Sequence, residues 1–164
     1  MIIIDLMAYL VIAMIGFQLL NVLINSITPI HLNNFVNNQH SPLISVLIPA
    51  RNEEKNIANI LNDLIDQDYD NIEIIVYDDN SDDNTANIIQ ELSKKDSRIK
   101  LINSVKLPDG WLGKPHACYK LAQFANGEYL LFLDADVRLN GSIIHRAVNF
   151  AINKNIDLFT IFPK

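Results

Sequence analysis

Cysteine is nearly missing from this chain, Cys118 being the only one in 164 residues. That excludes a disulfide framework and a cysteine-rich zinc site, and it fits a reducing compartment. No Lys or Arg precedes Arg51, so the positive-inside rule has nothing to act on near the N-terminus. Basic residues are scarce throughout, with 13 Lys and Arg against 19 Asp and Glu and a formal net charge of -6. Without a basic face to neutralise phosphates, nucleic acid is excluded as a partner. An acidic protein that handles a nucleotide must therefore recruit a cation. Glycine-rich phosphate loops are missing as well: neither G-x-G-x-x-G nor G-x-x-x-x-G-K-[ST] occurs, so Rossmann dinucleotide and P-loop readings lose support. His31, His40 and His145 show no metal-ligand spacing.

Apolar residues make up 49% of the chain and charged residues 20%, a balance that favours a packed core over disorder. Residues 2 to 27 are apolar enough to cross a bilayer, which takes roughly 20 residues. The expectation is a single N-terminal membrane anchor over 1–27 and a linker over 28–42. A domain over 43–164 follows, placed on the cytoplasmic side of the cell membrane. Two alternatives stand beside the anchor: a buried soluble helix, and a cleaved signal peptide, which lacks here both a basic n-region and a small-x-small site.

From Leu43 onward, short β-branched runs alternate with segments of helical spacing. The runs are 44–49, 72–77, 99–103, 128–133 and 157–162, and the helical segments centre on Ile57–Ile65, Ala86–Leu92, Ala117–Phe124 and Ile143–Ala151. Continuous apolar strands imply a sheet covered on both faces, so the fold class is α/β with a mostly parallel sheet flanked by helices. Ligands of such sheets collect at the carboxyl ends of the strands. Three polar segments sit there: Pro49-Ala50-Arg51-Asn52-Glu53-Glu54, Asp78-Asp79-Asn80-Ser81 and Asp134-Ala135-Asp136.

Two carboxylates spaced Asp-x-Asp at a strand end repel each other unless a cation joins them. Mg²⁺ or Mn²⁺ accepts one or two carboxylates while keeping positions for substrate phosphates. The same spacing also suits an ordinary surface turn. Ser81 or Asp82 is suited to cap the following helix, which leaves Asp78 and Asp79 placed to hydrogen-bond a base or ribose. Lys114, His116 and Cys118 open another predicted helix, with Pro115 in its first turn, where a phosphate would gain from the helix N-terminus. Trp111 precedes them and either stacks on a ligand or packs under its own loop. Arg138 is read as exposed or as a neighbour of phosphate.

The strings PLISVLIPARNEEKNI, VYDDNSDDNT and FLDADV, in that order, resemble the family 2 glycosyltransferases. The GWLGKPHACYKLA segment is similar to that of membrane-bound members that glycosylate isoprenoid lipids such as carotenoids. The resemblance implies a GT-A fold, a UDP-sugar donor, a lipid-like acceptor at the membrane and inversion at the anomeric carbon. Residue by residue, it implies that Pro49, Arg51 and Glu53 line the nucleotide pocket and that Asp79 contacts the uracil with Asp78 beside it. Lys114 offsets the diphosphate, Asp134 contacts ribose or sugar, and Asp136 ligates Mg²⁺ or Mn²⁺, with Asp134 beside it as a metal candidate. The family's catalytic base lies in a later acidic segment, expected beyond Lys164. On this reading the chain is a C-terminally truncated and inactive fragment, because Asp157, the only later carboxylate, opens a buried-looking strand. A receiver-like phosphoacceptor module and a nucleotidyltransferase are the competing classes. The first would carry its acidic pair after strand one, and the second would carry a glycine-rich basic loop there.

Overall fold

The computed structural model describes residues 2–27, 41–105 and 107–161, in two compact units, Met1–Asn33 and Asn34–Lys164. Most of the segment read as a linker, 28–40, lies outside the described residues. The described residues of the first unit form one helix, α1 (Ile2–Ile27). Its Asp5–Ile24 stretch is long and apolar enough to cross a membrane. Asn21 Nδ2 donates to the Phe17 carbonyl at 2.8 Å, so this polar side chain is satisfied within the helix itself.

The second unit runs β1 (Ile44–Ala50), α2 (Ile57–Ile65), β2 (Ile72–Asp78), α3 (Thr85–Lys95), β3 (Ile99–Asn103), α4 (Gly113–Phe124), β4 (Tyr129–Phe132) and α5 (Ile143–Lys154). The strands form one parallel sheet in the order β3-β2-β1-β4. The chain steps outward from β1 to β3, then crosses back to lay β4 on the other side of β1. Strand order therefore reverses between β1 and β4, and a crevice opens there at the carboxyl ends.

Pleat parity divides the core. Val46, Ile48, Ile74 and Val76 face α2, α3 and α5, packing with Ile57, Ile60, Leu61, Leu64, Ile89, Ile144 and Val148. Leu47, Ile75 and Tyr77 face the other way, onto Ala117 and Leu121 of α4. Full burial of each large apolar side chain is worth about 1.5–3 kcal/mol, which makes these two layers the main stabilisation of the unit.

At the amino ends of the strands a buried polar knot ties the α4–β4 connection to the sheet. The Glu73 carboxylate accepts from Ser45 Oγ (2.6 Å), Lys100 Nζ (2.8 Å) and the Asn126 amide (2.7 Å), while Gly127 N donates to Ser45 Oγ (2.8 Å). Burial alone would raise the Glu73 pKa, but the bonds from Lys100, Ser45 and Asn126 outweigh it and lower the value to about 2.

Two expectations are corrected. Residues 157–161 form no strand, and Leu158 is 89% exposed. A β-branched run becomes a strand only through pairing and packing, and among the described residues no strand pairs with it. The apolar run at 128–133 is not covered on both faces either. Leu130 and Phe132 of β4 are exposed while Tyr129 and Leu131 pack against the core, because α4 packs over β1 and β2 rather than over β4.

Candidate functional site

At the β1/β4 crevice lies a cleft of about 360 Å³. The β1 tip contributes Pro49, Ala50, Arg51 and Glu53, and the β2 tip contributes Asp79. The start of α4 brings Gly113, Lys114 and Ala117, and the turn after β4 brings Asp134, Ala135 and Asp136. Four segments far apart in sequence thus meet in one cavity. Of the eight residues expected to contact donor or metal, seven line it.

Asp78 does not. Tyr77 faces α4, so the next residue of the strand faces α2 and α3. There the Asp78 carboxylate is buried and accepts a hydrogen bond from Ser81 Oγ. Asp78 is therefore a loop-ordering residue, and the expectation that it lies beside Asp79 at the base fails on pleat parity.

The β1 and β2 tips lock each other. Asn52 and Asn80 both adopt positive φ, 56° and 53°, a conformation that asparagine tolerates better than most residues. Asn52 N donates to Ser81 Oγ (2.9 Å), Asp82 N to Asn52 Oδ1 (2.8 Å), Glu53 N to Thr85 Oγ1 (2.8 Å) and Glu54 N to Asp83 Oδ2 (3.1 Å). Ser81 is engaged by these contacts and does not cap α3. The Thr85 amide at the helix start is instead accepted by Asp83 Oδ1 at 3.0 Å. Glu53 Oε2 accepts from Asn56 Nδ2 (2.8 Å), which fixes the carboxylate at the rim.

Across the cleft, Lys114 Nζ sits 2.7 Å from Asp134 Oδ1, with both side chains more than half exposed. This hydrogen bond raises the Lys114 pKa, keeping the ammonium charged. The α4 N-terminus opens into the same space, and no side chain caps it. Its first amides and the positive end of the helix dipole therefore favour an anion there.

Other residues singled out from sequence have packing roles. His116 is buried, edge-on to Tyr77 and Trp111 with ring centroids 6.4 and 5.5 Å away. Trp111 also lies 5.3 Å from the Tyr119 ring, so it packs onto α4. Burial raises the Cys118 thiol pKa, which disfavours a thiolate nucleophile. Arg138 is paired with Asp63. Asn52, Ser81, Thr85 and Gly113 were not legible as site-builders, because their roles arise only where the loops meet.

Among the described residues no group of three or more His, Cys, Asp or Glu is arranged to hold a metal ion. The cleft offers Asp134 and Asp136, an all-oxygen pair of the kind Mg²⁺ and Mn²⁺ accept while leaving positions for phosphate oxygens. A cysteine- or histidine-seeking metal finds no partner in this lining.

A parallel sheet with an order reversal, acidic strand tips and an uncapped helix N-terminus meeting at that reversal define an α/β fold of the GT-A kind. Solved structures share the fold. A mannosyltransferase from Pyrobaculum calidifontis, in complex with GDP-Man and Mn2+, superposes with a TM-score of 0.60 at 24% identity, over 69% of this chain and 33% of that one. TarS from S. aureus, in complex with UDP-GlcNAc, gives 0.56 at 32% identity, over 69% and 32%.

The chain belongs to glycosyltransferase family 2, whose pattern (Glycosyl transferase family 2) matches residues 45–162. It is 43% identical over 122 residues to the 4,4'-diaponeurosporenoate glycosyltransferase of Staphylococcus haemolyticus, covering 73% of this chain and 32% of that protein. The enzyme of the same name from Staphylococcus aureus is 37% identical over 95 residues, covering 57% and 24%. The chain therefore spans a third or less of the length of these relatives.

Proposed function

We propose that this chain is the donor-binding part of an inverting glycosyltransferase that takes a UDP-sugar, with Mg²⁺ or Mn²⁺, and serves a lipid-like acceptor at a membrane. The observation that carries the reading is the shared cleft: Asp79 from the β2 tip and Asp136 from the β4 turn line one cavity at the order reversal of the sheet. Asp79 accepts from the base, between Pro49 and the Arg51–Glu53 rim. Lys114 and the α4 N-terminus face the diphosphate, where charge-assisted hydrogen bonds to phosphate oxygens are short and strong. Asp134 reaches ribose or sugar, and Asp136 holds the cation. When bound, that cation offsets the charge growing on the departing diphosphate. No described residue of this chain is assigned the acceptor base.

The acceptor class rests on two supports: α1, long and apolar enough for a bilayer, and the name of the staphylococcal relatives. This reading keeps a membrane anchor at 1–27, supported by the apolar α1, and a donor-binding domain at 43–164, supported by the family match over residues 45–162.

The test is calorimetric titration of UDP and UDP-sugars, with and without Mn²⁺, into the detergent-solubilised chain and its Asp136→Ala variant. Metal-dependent binding that the substitution removes is the expected result. Equal affinity in the two proteins would sink the metal assignment.

A further inference from the structure

We propose that Asp63 and Arg138 are positioning residues that hold the Asp134–Asp136 turn in register with the β1 tip, an inference that rests on the donor-and-metal reading above. Three donors converge on one carboxylate. Arg138 Nε lies 2.7 Å from Asp63 Oδ2, Arg138 Nη2 lies 2.9 Å from Oδ1, and Leu139 N donates to Oδ2 at 3.0 Å. The turn is closed on its other side by Val137 N donating to the Asp134 carbonyl at 3.2 Å. Asp136, two residues before Arg138, is thus bracketed by one clamp and one turn bond.

What makes the clamp functional in consequence is the element it grips. Asp63 stands near the end of α2, and the start of α2 is tied to the β1 tip, with Ile57 N on the Glu53 carbonyl at 2.9 Å. One helix of nine residues therefore carries the nucleotide rim at one end and the anchor of the metal turn at the other. The Asp63 side chain is only 13% exposed while Arg138 is 60% exposed, so the carboxylate is the fixed partner and the arginine the arm. Exposed pairs usually contribute little to stability, but bidentate geometry is the exception that fixes orientation. Lysine cannot reproduce that fork.

The experiment uses the detergent-solubilised 164-residue chain with UDP, uridine and Mn²⁺ as probes, comparing wild type with Asp63→Asn and Arg138→Lys. Outer partners of metal sites typically alter metal affinity 10- to 100-fold on mutation, so Mn²⁺-dependent UDP affinity should fall about tenfold in both variants. Uridine affinity, which reads only the base side, should stay within about twofold, a split that general loss of structure would not produce. Arg138→Lys alters an exposed side chain and keeps the test open should Asp63→Asn fold poorly. Unchanged Mn²⁺-dependent UDP affinity in both variants, with wild type showing that dependence, overturns the positioning role alone. Wild type without any Mn²⁺-dependent UDP binding overturns the donor-and-metal reading, and this inference falls with it.

Discussion

Gly113 is pressed against Asp79: a Cβ at this first residue of α4 would lie 2.9 Å from the Asp79 carboxylate oxygen. The α4 N-terminus comes this close to the Asp79 carboxylate because Gly113 carries no side chain. The atom it would meet is the end of a movable side chain, so Gly113→Ala should displace the carboxylate rather than the backbone. Uridine affinity should drop about tenfold, the worth of one good hydrogen bond, with little change in melting temperature. A fall in stability with binding intact would show that Asp79 does not face the base.

Lys114 bridges to Asp134 and is held charged by it. Lys114→Met should therefore weaken UDP about tenfold while leaving uridine nearly untouched, since only UDP carries the diphosphate. Isothermal titration of both ligands separates the two effects, and parallel losses would argue against a phosphate role.

Glu73 supplies a pH dependence remote from the cleft. Its pKa in the fold is about 2, against 4.5 as the reference value, so the folded state favours the ionised form. The stabilisation is complete above roughly pH 5 and is lost as pH falls from there through 2, amounting to about 3 kcal/mol. In Glu73→Gln the melting temperature should lose much of its slope between pH 5 and 3. An unaltered slope would place the acid sensitivity elsewhere.

Gly127 has no room at all. A Cβ there would meet Ser45 N at 2.5 Å, Ser45 Oγ at 2.7 Å and the Leu43 carbonyl at 2.9 Å, and two of these are backbone atoms that cannot swing away. Gly127→Ala should cost about 3 kcal/mol or more, seen in urea unfolding as a lower midpoint. A neutral result would mean that β4 can slide relative to β1.

Much of this was legible in one dimension. Residues such as Ile57, Ile60, Leu61 and Leu64 carry a 3.6-residue period, and runs such as Ile72–Tyr77 carry none, so the helices and four strands of the second unit declare themselves locally. The three acidic strand ends are legible for the same reason: the carboxyl end of a strand can be read from the run that precedes it. The run read at 157–162 misled over its described residues 157–161, because its β-branched residues state a propensity that only a pairing strand can realise.

Sequence by itself determined the α/β class, the family and the set of polar strand tips, since each depends on residue type and spacing over a few positions. Tertiary structure alone decided that Asp79 turns into the cleft while Asp78 turns away, that Ser81 serves Asn52 rather than α3, and that Arg138 finds Asp63. Those outcomes depend on which face of the pleat each residue takes and on contacts across 20 or more positions. No local pattern encodes a partner that only the packing of β1, β2, β4 and α2 brings within reach.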